Sequence, residues 1–321
     1  MNTIEKLPLW EAAQREMETY QFHAPSDVQP KWDVSQKIAI NVAVSGRFDG
    51  TGTSQPTSLQ TYVDAASDVI EAGACGVHID FTWVTDNQGR RLDRDLPPVE
   101  AYGTVLEPLR KRFGKDFVPN LNVLNGTTFD ICVSPAREGL AEVAPCAPGH
   151  PDAFMVPAIQ ALEDCGVKPE LAVHSSGEIE LAKRKLIDTG ILKKPYNWLI
   201  LYGLPFNGGR SLISGTWVSN AQDMARHLFL MVDQIRSIDP TSVMSVCAAG
   251  RASLYMTTLA TMMGLHIRVG TEDTPWKYPN SDERLKDNLE MFKMAKDIAE
   301  LHGRKPASAN EYRALIGKPA R

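Results

Sequence analysis

From residue 37 onward, apolar runs of strand length alternate with segments whose apolar residues recur at helical spacing. KIAINVAV (residues 37–44) is an unbroken apolar run that reads as a buried strand. A loop rich in Gly, Ser and Thr (45–58) follows, then a helix over 62–71 that ends at Gly73. CGVHIDF (75–81) is the second strand. A polar loop through Pro97 leads to a helix over 99–113, and 116–123 is the third strand. Further strands are predicted at 169–173, 198–202, 243–247 and 266–269. Helices at 154–165, 178–189, 221–235 and 254–263 alternate with them, and two more at 282–302 and 309–316 close the chain. Cys, Pro and Gly break any period between 124 and 151, which leaves room for an eighth strand there.

Strands alternating with helices predict a parallel sheet, most simply a closed (β/α)8 barrel of the TIM type. A doubly wound open sheet is the other solution, but no GxGxxG follows the first strand. Residues 1–36 stand ahead of this pattern as an N-terminal arm. It holds a short helix over 7–20 and an extended stretch carrying Pro25 and Pro30. The expected organisation is therefore the arm, 1–36, and one barrel domain with C-terminal helices, 37–321.

Composition narrows the function classes. With 321 residues, 43% hydrophobic and 23% charged, the chain has the make-up of a soluble protein with a sizeable core. The net charge of -5, with no basic block, argues against nucleic acid as a partner. Five cysteines without a CxxC pair suggest neither a disulfide framework nor a thiolate zinc site. The first residues are charged and no apolar stretch approaches a membrane span, so a cytoplasmic location without a membrane partner is expected.

In such a barrel the chemistry gathers at the C-terminal ends of the strands. GLHIRVGTEDTPW (264–276) places Arg268 on the last strand and Glu272 with Asp273 just beyond it. Taken alone, this reads equally as a surface loop with a solvated acid pair. His78 and Asp80 lie two apart on the second strand, so their side chains share a face. A lone histidine in an apolar strand is most often a hydrogen-bonded core residue. Joined by Glu272, however, His78 and Asp80 make a three-ligand N/O set for a divalent ion, for which zinc is the natural choice. Other strand ends carry Ser45, Arg47, Asn122 to Asn125, Glu170 with His174, and Tyr202.

EAGACGVHID, KPELAV (168–173), HIRVGTED (266–273), PNSDERL (279–285) and GRKPASANEYRALIG (303–317) resemble the β-keto acid cleavage enzyme family. The best-known type in that family cleaves 3-keto-5-aminohexanoate. The resemblance runs from about residue 37 to 317. It implies a (β/α)8 barrel with one zinc ion, usually in a homotetramer, converting a β-keto acid and acetyl-CoA into acetoacetate and a new acyl-CoA. By the same resemblance Glu272 and His78 fall on metal ligands, Asp273 on the catalytic aspartate and Arg268 on its arginine. The second histidine of the family's His-x-His pair falls on Asp80, where this chain departs.

Aspartate is a competent ligand for zinc and still more for manganese. Alternatively, Asp80 is a base or an arginine partner in a metal-free site. KPELAVHSS departs too, losing an acid and gaining His174, which serves as a replacement ligand, a proton shuttle or a structural residue. Asn125, Glu170 and His174 are the candidate substrate contacts, Asn125 lying in the polar NGTT loop (125–128). The loop at 206–217 is a candidate lid, with Arg210 as a phosphate contact for CoA, whereas 46–58 lacks P-loop spacing. Phe81, Trp83, Trp217, Trp276 and Tyr278 would suit an aromatic or cationic substituent, and read equally as packing. A metal-dependent hydrolase or lyase without CoA is the alternative on the same barrel. Arg268, Glu272 and Asp273 argue against a non-catalytic binding protein.

Overall fold

The computed structural model describes residues 7–21, 31–45, 55–81, 83–125, 128–202 and 220–321. Residues 1–34 form one unit, which contains the helix Leu7–Gln21, and residues 35–321 form the other. Eight parallel strands close the second unit into a barrel: β1 (Ile40–Ala43), β2 (Gly76–Ile79), β3 (Val118–Leu121), β4 (Val143–Cys146), β5 (Lys168–Val173), β6 (Asn197–Tyr202), β7 (Val243–Ala248) and β8 (His266–Val269). β8 pairs back onto β1, with Asn41 opposite Arg268. No helix among the described residues is long and apolar enough to cross a membrane.

The strands lack polar alternation because one face looks into the barrel and the other lies under helices. β5, β6 and β7 are accordingly buried at every position. The helix Leu59–Ala72 buries Tyr62, Ala66, Val69 and Ile70, a stripe at helical spacing. Ser58 caps its start by accepting from the Thr61 N–H, a contact of about 1 kcal/mol, and Gly73 ends it at φ 109°.

Two details differ from the sequence reading, and a third fills in what it left open. The eighth strand does lie in the irregular region, as β4, behind a helix at Phe129–Arg137 that the prolines and cysteines conceal. The apolar run at 37–44 divides at Ala39, whose N–H donates to His266 Nδ1 at 3.1 Å; Lys37–Ile38 ahead of it pairs with Lys305–Pro306 instead of the barrel. The helix expected from 282 starts at Asn288, because Asp287 caps it by accepting from the Glu290 N–H at 2.8 Å.

The closing helix Ala309–Leu315 stoppers the N-terminal mouth. Tyr312 and Ile316 pack there with Ala39, Cys75, Val118, Val143 and Val243, residues at the starts of the strands. Arg313, fully buried, makes a fork to Glu142 (Nε to Oε2 2.8 Å, Nη2 to Oε1 2.9 Å) and donates to the carbonyls of Lys115 and Phe117. One mouth is thereby shut.

Candidate active site

The turn after β8 is shaped by a close backbone approach. Gly270 sits at φ 146°, and a Cβ there would lie 2.1 Å from the Ala43 carbonyl oxygen. The chain can thus cross the end of β1, where the Glu272 N–H donates to Ala43 O at 3.3 Å. Asn288, the first residue of its helix, accepts from the Thr271 N–H at 2.9 Å and donates to Thr271 Oγ1 and Val44 O. The Gly250 N–H donates to Asp273 O at 2.8 Å. So held, Glu272 and Asp273 are 4% and 1% exposed. The reading of a solvated acid pair is therefore excluded.

Arg268 points from β8 into this turn, donating from Nη2 to Asp273 Oδ1 at 2.8 Å, with Glu272 Oε1 3.6 Å away. Burial disfavours the guanidinium charge, but Asp273, Cys247 and Glu272 outweigh it and raise its pKa above the ordinary arginine value. Asp273 Oδ2 is buried and makes no hydrogen bond among the described residues. One oxygen of this carboxylate is pinned by the arginine, the Cys247 thiol lies beside the group, and the residue lines a cavity with His78 and Arg268.

His78, from β2, is opposite Ala43 on one side and Asn120 on the other. Burial, and then the Arg268 charge, push its pKa down to about 4, so the ring is neutral at pH 7. Its Nε2 lies 3.8 Å from Glu272 Oε2. A neutral imidazole and a carboxylate facing each other form no ion pair, but they are the donor types that a zinc site uses.

His78, Arg268, Glu272, Asp273 and His174 line one cavity of about 190 Å³ at the C-terminal mouth. His174 is tied through Nδ1 to Glu178 Oε2 at 3.2 Å, and its backbone N–H donates to the same oxygen. His150, which the sequence reading passed over, lines this cavity as well. Asp80 instead lines a neighbouring cavity of about 560 Å³ with Phe81, Leu92 and Tyr102. Asn122 borders both cavities and donates to Asp80 Oδ2 at 3.4 Å. His78 and Glu272 thus face each other across one cavity, while Asp80 lines the next, its charge still acting on His78. Among the described residues no group of three His, Cys, Asp or Glu is gathered closely enough to hold a metal ion.

Glu170 does not line either cavity; it is buried behind His78, where it accepts from Asn120 Nδ2 at 3.0 Å. Asn125 ends the short turn Val123–Asn125, and its side chain lies outside the described residues. So do Arg47, Arg210, Trp217 and the proposed lid at 206–217. Two of the aromatic rings already carry the chain's own cations: Arg251 and Arg284 stack on Trp276, and Arg91 lies 4.3 Å from the Trp83 ring centre.

Comparison with known proteins follows the same lines. The family model for beta-keto acid cleavage enzymes matches residues 37–317. A 3-keto-5-aminohexanoate cleavage enzyme of Fusobacterium nucleatum subsp. nucleatum is 30% identical over 151 residues, 47% of this chain and 48% of the relative. The enzyme of that name from Acetoanaerobium sticklandii is 32% identical over 152 residues, 47% of this chain and 49% of its own. The match therefore spans about half the length of these curated relatives. Among solved structures, ObcA in a binary complex with oxaloacetate superposes with a TM-score of 0.64 at 18% identity, covering 82% of this chain and 67% of ObcA. The type I 3-dehydroquinate dehydratase of Clostridium difficile superposes at 0.54 and 12% identity, covering 86% and 98%. At these identities the likeness concerns the barrel alone. The family's pattern, in contrast, runs from just before β1 to just past the closing helix, and the chain belongs to the β-keto acid cleavage enzyme family.

Proposed function

We propose that the protein cleaves a β-keto acid with acetyl-CoA as co-substrate, yielding acetoacetate and a new acyl-CoA by a retro-Claisen route. The observation that carries this reading is the divided carboxylate of Asp273, with Oδ1 held by Arg268 and Oδ2 buried without a hydrogen bond among the described residues. Oδ2 accepts a proton from the carbon between the substrate's keto and carboxylate groups, while Arg268 holds Oδ1 in place. The carbanion so formed attacks the acetyl-CoA thioester, forming a carbon–carbon bond and releasing CoA thiolate. The thiolate adds to the original keto carbon, and the older carbon–carbon bond breaks. The new acyl-CoA departs, and Asp273 returns its proton to the acetoacetate carbanion. The buried walls around Asp273 exclude water that would otherwise protonate these carbanions.

His78, Glu272 and Asp80 are the residues that would hold a divalent ion, with zinc or manganese suited to one imidazole and two carboxylates. A bound ion supplies Lewis-acid stabilisation of the charge growing on the substrate oxygens. His78 and Glu272 fit that role by their facing atoms, and Asp80, whose charge acts on His78, lines the neighbouring cavity. That cavity receives the substrate's distal group. A homotetramer belongs to the same reading and is checked by sedimentation.

The assay is acetoacetate production from a panel of β-keto acids, with and without acetyl-CoA. Asp273→Asn retains the Arg268 contact but cannot accept the proton, and kcat should fall by about 10²–10⁴. Aspartate at position 80, where the family has histidine, favours one other reading, a metal-dependent hydrolase or lyase. Turnover that is indifferent to acetyl-CoA would select it.

A further inference from the structure

Behind His78 runs a buried polar line that the proposed reaction does not use. Glu170 on β5, Asn120 on β3 and His78 on β2 are 1%, 1% and 2% exposed. Asn120 Nδ2 donates to Glu170 Oε2 at 3.0 Å, and Asn120 Oδ1 lies 3.2 Å from His78 Nδ1. We infer that Glu170 is a positioning residue, which acts through Asn120 to fix His78 as the Nδ1–H tautomer and so presents the Nε2 lone pair to the cavity.

The argument is one of hydrogen-bond capacity. A carboxylate at Glu170 can only accept, so the amide of Asn120 must turn its NH₂ toward it. The reverse orientation would set two acceptor oxygens against each other at 3.0 Å in a site without solvent, at the cost of an unpaired buried group. Once the NH₂ is committed, only Oδ1 remains to meet His78, and an acceptor there requires a proton on Nδ1. In the neutral ring Nε2 is then left unprotonated, and it is this atom that faces Glu272 Oε2 at 3.8 Å. The three residues come from three different strands, yet the register places His78 directly opposite Asn120. Glu170, a candidate substrate contact by sequence, is thereby reassigned to the support of a ligand. Its effect on metal affinity rests on the proposed function, whereas its effect on the tautomer does not.

The test is nitrogen NMR of the full chain carrying ¹⁵N-labelled histidine, stripped of metal with a chelator. The His78 signals are assigned by their loss in His78→Gln. The wild type should show a protonated Nδ1 and an unprotonated Nε2. Glu170→Gln introduces an amide that can donate, frees Asn120 to turn over, and should populate the Nε2–H tautomer. Zn²⁺ titration of the same samples should show about 10–100-fold weaker binding in Glu170→Gln. A wild-type His78 protonated on Nε2 would overturn the inference without any variant, as would a Glu170→Gln ring identical to wild type. An Nδ1–H ring in a wild type that does not bind Zn²⁺ would uphold the relay and remove the metal from the proposed function.

Discussion

His78 and Glu272 owe their pairing to one short distance, and the donors around them are not equivalent. Glu272 is buried and faces His78 Nε2, whereas Asp80 is half-buried on the neighbouring cavity. Elemental analysis should therefore find that Glu272→Ala loses its divalent ion altogether, while Asp80→Ala retains part of it. Equal loss in both variants would make Asp80 a full ligand, and equal retention would remove both from the set. A second histidine governs stability rather than chemistry. Burial, and then the Arg304 charge, lower the pKa of His266 to about 4 from an ordinary 6.5. Between those values the unfolded chain binds a proton that the folded chain refuses, so the contribution is complete above pH 6.5 and lost as pH falls toward 4. It amounts to at most about 3 kcal/mol. His266→Gln keeps an acceptor for the Ala39 N–H, and denaturant unfolding at a series of pH values should show a shallower loss of stability in this variant across that window. These residues differed in how far the sequence exposed them. Arg268, Glu272, Asp273 and His78 were legible from their places at strand ends. Asn120 was not, because its partners His78 and Glu170 lie 42 and 50 residues away and no local period records them.

At the scale of elements, β8 was read with its observed bounds, since a short apolar run between Gly264 and Gly270 has clear limits. β4 was not, because a four-residue strand containing Pro145, with Asn120–Val143 as its register pair to β3, has too little pattern of its own. The turn that buries the acid pair was equally hidden: it depends on Gly270 passing β1 and on Asn288 reaching Val44, 244 positions away. The closing helix makes a direct prediction. Arg313→Ala would leave Glu142 buried without its fork of hydrogen bonds, a loss that typically costs about 3–5 kcal/mol. Denaturant unfolding should register that drop. A change under 1 kcal/mol would mean that water or Arg321, whose Nη1 is 3.7 Å from Glu142 Oε1, takes over the charge.

In the whole molecule, the two ends of the barrel divide the work. The N-terminal mouth is sealed by Tyr312, Ile316 and the Arg313–Glu142 fork. The C-terminal mouth holds two adjoining cavities, one with the acid–arginine–imidazole cluster and one with Asp80, Phe81 and Tyr102. Family membership accounts for the barrel, and by the resemblance read from the sequence Asp80 and His174 are the positions where this chain departs. The reaction proposed for it has a signature that no simple hydrolysis shares, because the two carbons of the acetyl group must end in acetoacetate. The most direct measurement is turnover of a β-keto acid with acetyl-CoA labelled with ¹³C at both acetyl carbons, followed by mass spectrometry of the products. The account predicts acetoacetate carrying both labelled carbons together with an unlabelled new acyl-CoA. Unlabelled acetoacetate, or products formed at the same rate without acetyl-CoA, would contradict it.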